Sequence, residues 1–227
     1  MRITKRKLAL LIGAVVLGTV LATNFLHTDQ ATVKPSANAP IVTSAPVSPG
    51  TALPAPATIN AAIHQVHSPG MVTDDMHLSA GQCQVRTLDA AAGNVLPDPK
   101  CTPGGADPAV TQANIQSTIC VKGYTKTIRP PATDTGKFKT LSYVQYGLVH
   151  SRTVEYDHLI SLELGGTNSV SNLWPEVNRS SATTFSNPKD PVENKLAAAV
   201  CSGKVTLVAA QEAIATNWTT ALNKLGL

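Results

Sequence analysis

Two adjacent residues, Asp157 and His158, combine a carboxylate with an imidazole, groups suited to binding a metal ion and to moving a proton. They follow a β-branched and aromatic run over 153–156, which predicts a short strand. Adjacent side chains of a strand point to opposite faces of a sheet. One of the two groups can therefore hold a metal ion while the other faces a substrate.

The residues that follow this pair predict a hairpin that would position it. An apolar stretch leads to a turn built on Gly165 and Gly166, and a second short strand is predicted around Leu173 and Trp174. Two strands joined by a glycine-containing loop are typical of a hairpin-like element. The chemical groups would then lie at the end of its first strand.

The order of residues across 155–176, DH followed by GG-x-N and N-L-x-P, resembles the HNH endonucleases of the ββα-metal superfamily. In that family the first His is the general base, the residue before it binds the metal ion, and a middle Asn pins the hairpin loop. The resemblance implies these three roles for His158, Asp157 and Asn172, the last as part of the catalytic constellation. It also implies an α+β fold, a small ββα-metal core with flanking helices stapled by disulfides.

The resemblance is specific over 155–176 and looser over 96–218, where the flanking sequence segments resemble those of secreted bacterial HNH-type proteins. It implies an exported, metal-dependent nuclease that hydrolyses phosphodiester bonds, with DNA expected over RNA. Mg²⁺ is the expected ion, and Mn²⁺, Ca²⁺ and Zn²⁺ are alternatives. A degenerate HNH-fold binding module and an envelope-tethered interaction protein remain the alternative functions.

A third metal ligand is expected from the helix that follows the hairpin. The resemblance favours Asn194, because an Asn fills this place in some superfamily members. Glu193 and Asp190 compete with it, since a carboxylate is a harder ligand for Mg²⁺. The 37 residues that separate Asp157 from Asn194 require 177–189 to loop out.

Basic residues precede the Asp-His pair. Between Cys120 and Arg152 there are six basic residues and one acid, Asp134; the basic residues are Lys122, Lys126, Arg129, Lys137, Lys139 and Arg152. Such a stretch could form a groove that follows a phosphate backbone, and an ordinary solvated face is the alternative. Arg152, Arg129 and Lys189 are the candidate phosphate-binding residues.

The N-terminal part of the chain predicts export. A positively charged head and an apolar run make 1–26 a signal peptide, or a membrane anchor through 8–26 if it is not cleaved. A Pro-, Ala- and Thr-rich linker is predicted over 27–70 and the nuclease domain over 71–227, assumed monomeric. Four of the 18 basic residues lie in the first 22, so the exported part carries 18 − 4 = 14 basic against 14 acidic residues. This balance argues against a uniformly basic nucleic-acid binder.

Four cysteines follow the apolar run: Cys83, Cys101, Cys120 and Cys201. An even count outside the cytoplasm predicts two disulfides. Three pairings exist, and we favour Cys83–Cys101 with Cys120–Cys201. The absence of a C-x-x-C motif disfavours a zinc knuckle.

Periodicity and turn residues predict further elements, namely a strand over 83–89, a helix over 108–120, an extended piece over 125–131, and helices over 138–149, from 190, and over 207–222. The helix over 138–149 would carry Leu141, Val144 and Leu148 on one apolar face. Asp190 and Glu193 would form a capping box, Thr206 would cap the last helix, and Trp174 and Trp218 would lie in the core.

Overall fold

The computed structural model describes residues 62–183 and 187–227. They form an α+β fold with three two-stranded sheets. The strands are β1 (His64–Gln65), β2 (Arg86–Asp89), β3 (Asn94–Leu96), β4 (Gly105–Ala106), β5 (Val154–His158) and β6 (Leu173–Val177). The helices are α1 (Tyr124–Ile128), α2 (Ala132–Gln145), α3 (Asp190–Cys201), α4 (Leu207–Asn217) and α5 (Ala221–Lys224).

The predicted hairpin is present and consists of β5 and β6. The two strands are antiparallel, with Asp157 opposite Trp174 and His158 opposite Leu173. The loop over 159–172 contains a short 3₁₀ helix, Leu162–Leu164, and turns through Gly165 at φ +69°. A left-handed residue of this kind favours glycine. The hairpin therefore places Asp157 and His158 at the loop end of β5.

The main hydrophobic core lies between this loop and the C-terminal helices. Leu196 and Val200 of α3 pack with Ile214 of α4 and with Ile160 and Leu164 of the loop, all fully buried. A second cluster surrounds the Cys83–Cys101 disulfide and includes Trp174, which is fully buried. Trp218 is also buried, so the prediction that both tryptophans are core residues is confirmed.

The two favoured disulfides are present: Cys83–Cys101 and Cys120–Cys201. The second joins the segment before α1 to the end of α3, 81 residues later. Disulfides form and persist in oxidising compartments, so the pairing indicates an extracytoplasmic location. Within residues 62–183 and 187–227, none of the helices combines the length and the apolar character needed to cross a bilayer.

The predicted start of the domain at Met71 is wrong, because packing begins earlier. Ile63 is buried in the main core, and β1 pairs in parallel with β4. The segment over 62–70 therefore belongs to the fold and not to the predicted linker. The signal or anchor predicted over 1–26 and the rest of the linker, 27–61, lie outside the described residues.

Two predictions before the hairpin, the helix over 108–120 and the extended piece over 125–131, are also wrong. Only a 3₁₀ turn, Ile115–Ser117, forms within 108–120, because the Asn114 side chain bonds the Thr111 N–H and the Ala109 carbonyl and holds separate turns. Conversely, α1 begins at Tyr124 and covers the first four residues of the predicted extended piece. The residue restricted by Pro130 is Arg129 alone, and it is extended, at ψ 131°.

Helix α2 begins before the predicted 138–149 and presents a different face to the core. Its buried residues are Ser142 and Tyr143, while Leu141 and Val144 are 50% and 55% exposed. Tyr146, which follows the helix, is also buried and its hydroxyl lies 2.7 Å from Thr102 Oγ1. Burial of the larger aromatic side chains orients the helix and leaves the aliphatic ones outside.

The C-terminal helices were predicted more closely. The helix from 190 is confirmed as α3, but the capping box is wrong: Lys189 is the N-cap, and the Glu193 side chain bonds Lys189 Nζ instead of a backbone N–H. The Thr206 cap of α4 is confirmed, since its Oγ1 accepts from Ala209 N at 3.2 Å. This helix ends at Asn217 and is followed by a 3₁₀ turn and α5.

Candidate active site

His158 lies at the end of β5 with 7% of its surface exposed. Its Nε2 is 2.9 Å from Asn168 Oδ1. The Asn168 amide nitrogen donates to the carbonyl oxygens of Ser68, at 2.7 Å, and Ile128, at 2.8 Å. These two acceptors fix which end of the amide is oxygen, so the hydrogen-bond network assigns the ring proton to Nε2. Nδ1 is then unprotonated and can accept a proton.

Burial lowers the pKa of His158 to about 4, against the opposing charge of Asp157; the positive charges of Arg129 and Lys189 lower it further. The ring is therefore neutral near pH 7. A neutral imidazole with a free lone pair is the form that a general base requires.

Asp157 is bound to a buried lysine. Lys189 is fully buried, and its Nζ donates to Asp157 Oδ2 at 2.6 Å, to the His158 carbonyl oxygen at 2.7 Å and to Glu193 Oε1. These three bonds use all three donors of an ammonium group. Burial opposes the charged form of Lys189, but the charges of Asp157 and Glu193 prevail and raise its pKa. Burial likewise raises the pKa of Asp157, and the Lys189 charge reverses this to a net lowering.

Four carboxyl groups surround this single ammonium. The register pairs Glu155 directly with Glu176, and Asp157 shares the face of Glu155 because alternate residues of a strand point the same way. Glu193 adds the fourth from α3. We call these four residues the carboxylate cluster: Glu155, Asp157, Glu176 and Glu193.

One positive charge cannot compensate the carboxylate cluster, and the pKa values of three members rise. Burial, with the charge of Asp157 adding to it, raises the pKa of Glu155 to about 7. Burial also raises the pKa of Glu193 to about 8, although Lys189 opposes this, and it raises that of Glu176 well above its usual range. Glu176 is 3% exposed, and neither of its carboxyl oxygens has a donor partner in the described part of the chain. As the neutral acid, Glu176 can itself donate toward Asp157.

Asn172 is fully buried and clasps the loop of the hairpin. Its Oδ1 accepts from the backbone N–H groups of Ile160, at 2.9 Å, and Gly105, at 3.1 Å. Its Nδ2 donates to the carbonyl oxygens of Ile160, at 3.0 Å, and Thr167, at 2.9 Å. Asn172 therefore touches only backbone and acts as a positioning residue for the loop that carries Asn168.

Three adjoining clefts meet at this site. The central cleft, about 290 Å³, is lined by Asp157, His158, Asp190, Glu193, Asn194 and Arg129, among others. The basic cleft, about 520 Å³, contains Lys139 and shares Arg129 and His158 with the central cleft. The disulfide cleft, about 360 Å³, contains Lys122 and Tyr124 and shares Thr125 and Glu163 with the central cleft. The shared lining places the three clefts next to one another, with His158 between the central and the basic clefts; we call the three together the groove.

The structure brings together four of the predicted site residues, Asp157, His158, Asn194 and Arg129, in the central cleft. Asn172 lies behind them. Arg152 is exposed in the turn before β5 and lines none of the three clefts. Lys189 does not face a substrate in this structure, because its ammonium is buried against carboxylates, and the prediction that it binds phosphate is corrected accordingly.

Sequence reasoning gave no role to Asn168, Lys139 or Glu176. Asn168 is the Asn of the GG-x-N pattern, so its position was visible, but its bond to His158 depends on the path of the loop. Glu176 could have been found from the alternation of β6 had the strand register been known. Lys139 belongs to the basic stretch, and only the fold places it beside His158.

The donors of the central cleft fit a hard divalent cation in kind. Carboxylate oxygens of Asp157, Glu193 and Asp190 and the amide oxygen of Asn194 line one space, and Mg²⁺ and Mn²⁺ prefer such ligands. Lys189 already bonds one oxygen each of Asp157 and Glu193. Among the described residues, no group of three His, Cys, Asp or Glu side chains stands in metal-binding geometry.

Comparisons of the chain with protein-family models, with curated proteins and with solved structures find no match.

Proposed function

We propose that the chain is an exported, metal-dependent nuclease of the HNH type, with His158 as the general base. The observation that carries this proposal is the contact between His158 Nε2 and Asn168 Oδ1, which assigns the tautomer of His158. Its Nε2 proton is held by Asn168 Oδ1, which leaves Nδ1 free to accept a proton beside the carboxylates of the central cleft. His158 lines both the central and the basic clefts, which a histidine with a purely structural role in the core would not be expected to do.

Cationic side chains flank the acidic central cleft, and these could contact a polyanionic substrate. The basic cleft carries Arg129 and Lys139, and the disulfide cleft carries Lys122, so cationic side chains lie on both sides of His158. A chain of phosphates could contact both ends while one phosphodiester lies at the centre. Contacts to phosphates alone carry affinity without sequence reading. We therefore propose nucleic acid as the substrate, and the resemblance to HNH endonucleases leads us to expect DNA over RNA.

Each residue then has a defined task. His158 Nδ1 accepts a proton from the attacking water, and Asn168 keeps the ring oriented through Nε2. The negative charge of Asp157 stabilises the imidazolium that forms. Arg129, which lines both the central and the basic clefts, holds a phosphate next to the base. A bound phosphate also adds negative charge near the ring and raises the pKa of His158 toward the working range.

Mg²⁺, held by Asp157 and Asn194 with Glu193 or Asp190, would supply positive charge against the scissile phosphate and its leaving oxygen.

The second candidate is a binding module built on the same fold. One observation favours it: the carboxylates expected to hold the metal are bonded to Lys189. In that case the groove would bind a polyanion without cleaving it.

One assay separates the two candidates. The full chain is incubated with plasmid DNA and with a labelled RNA in Mg²⁺, Mn²⁺, Ca²⁺ or Zn²⁺, beside His158→Ala and the matched control His150→Ala, whose side chain is exposed. The nuclease predicts cleavage that His158→Ala abolishes and His150→Ala retains. Retention of the DNA in gel-shift experiments, with no cleavage in any metal, supports the binding module instead.

A further inference from the structure

We propose that the Lys189 ammonium and a divalent cation are alternative occupants of the carboxylate cluster, so that Lys189 is a built-in counter-ion that metal must displace. The role of such an exchange, to control metal binding by a nuclease, rests on the proposed function. The test of the exchange measures metal binding alone, so an inactive protein would leave the inference standing.

The geometry of Lys189 is that of a bound cation. Its Nζ lies between Asp157 Oδ2 and Glu193 Oε1, and it also contacts the His158 carbonyl oxygen. The two carboxylates come from different elements, β5 and α3, and the ammonium joins them in the way that a metal ion joins ligands from two elements. A metal bound between these same two oxygens, Asp157 Oδ2 and Glu193 Oε1, would need the space of the ammonium. Two cations within about 4 Å repel strongly at the effective dielectric of a protein, so occupation by one excludes the other.

The carboxylate cluster contains more acidic groups than the single positive charge of Lys189 can compensate. The Glu176 carboxyl group is buried to 3% exposure beside Asp157, and no cationic side chain of the described residues bonds its oxygens. Buried polar groups are almost always satisfied, and an exception calls for an explanation. A doubly charged ion in place of the ammonium would compensate two ionised carboxylates instead of one. Glu176, which bonds no cation among the described residues, is the side chain best placed to follow such an ion.

Lys189 also reaches the cluster from a position that lets it leave. It is the residue immediately before α3, so its side chain is attached at the start of the helix and not along its buried face. The side chains of Asp157 and Glu193 keep 14% exposure and line the central cleft. An ion can therefore approach the cluster from that cleft. The arrangement would hold the site closed to metal at low metal concentration and open it when metal displaces the ammonium.

The test compares Mn²⁺ binding to the full chain and to Lys189→Met, measured from the electron paramagnetic resonance signal of free Mn²⁺. Removal of the competing ammonium should tighten Mn²⁺ binding at least tenfold, the equivalent of about 1.4 kcal/mol. The matched control is Lys195→Met, which removes the same charge from an exposed position of α3 and should change affinity far less. Equal or weaker binding by Lys189→Met would overturn the proposal.

A second measurement covers the case in which Lys189→Met is poorly folded. Loss of one partner of a buried ion pair is strongly destabilising, so thermal unfolding of Lys189→Met is followed with and without Mn²⁺. If metal can replace the ammonium, millimolar Mn²⁺ restores the lost stability, and the double variant Lys189→Met/Asp157→Asn needs no metal. If the double variant recovers stability while no concentration of Mn²⁺ rescues the single variant, Lys189 is a structural counter-ion only and the proposal fails.

Discussion

Asn172 offers the sharpest prediction about how the site is built. Its side chain is fully buried and forms four hydrogen bonds, all to backbone groups of the segments that surround the loop. Asn172→Ala removes all four and leaves buried N–H and carbonyl groups of Gly105, Ile160 and Thr167 without partners. The loop over 159–172 carries Asn168, so the orientation of His158 depends on it as well.

The size of the loss follows from the hydrogen bonds. Each contributes a net of about 0.5–1.5 kcal/mol to stability, so the four together contribute about 2–6 kcal/mol. For a domain of this size, such a loss lowers the unfolding temperature by roughly 10 °C. With a slope of about 2 kcal/mol per molar urea, it also moves the urea midpoint down by roughly 1–3 M.

The assay is urea unfolding followed by circular dichroism, with Asn223→Ala as the matched control. Asn223 is exposed in α5, and its truncation should change the free energy of unfolding by less than about 0.5 kcal/mol. If Asn172→Ala is no less stable than Asn223→Ala, this side chain does not hold the loop and does not position Asn168 against His158.

Three further predictions concern the same fold. Burial holds the pKa of His158 at about 4 in the folded state, against 6.5 in the unfolded state. The unfolded state therefore binds a proton first as the pH falls, and the free energy of unfolding drops by roughly 3 kcal/mol between pH 6.5 and 4. His158→Gln should flatten this part of the stability profile, and an unchanged slope would contradict the burial of the ring. Gly166→Ala should disrupt the loop, because a Cβ there collides with backbone carbonyl oxygens, while Gly136→Ala in α2 meets open space and should stabilise by about 0.5–1 kcal/mol; equal unfolding temperatures would refute this. Loss of Cys120–Cys201, replaced by serines, should cost about 4.5 kcal/mol from loop entropy and loss of Cys83–Cys101 about 3 kcal/mol, measured by urea unfolding, and the reverse order would refute the entropic ranking.

Local sequence signals were sufficient for the parts of the fold that local chemistry decides. The hairpin follows from two short β-rich runs around Gly165, and α4 follows from a Thr206 cap before an apolar stretch. The sequence left three disulfide pairings open, and the favoured one, Cys83–Cys101 with Cys120–Cys201, is the one present. Asp157 and His158 could be selected because they end a strand, and both line the central cleft.

The environment of those residues could not be predicted, because distant parts of the chain decide it. Lys189, in a polar stretch between Pro188 and Asp190, has the local sequence of a solvated side chain, yet it is fully buried. Its burial depends on the carboxylates that β5, β6 and α3 bring to one place. In the same way, the outward face of α2 is set by where Tyr143 and Tyr146 find room and not by the spacing of its aliphatic residues.

The central claim, that His158 takes the proton from water, is tested most directly by chemical rescue. Single-turnover cleavage of a defined oligonucleotide in Mg²⁺ is measured for the full chain and for His158→Gly, with and without added imidazole. We expect the variant to lose about 10²–10⁴ in rate, the usual contribution of a general base, and to regain part of it when imidazole enters the clefts beside residue 158. A His158→Gly variant that cleaves as fast as the unaltered chain would contradict the account.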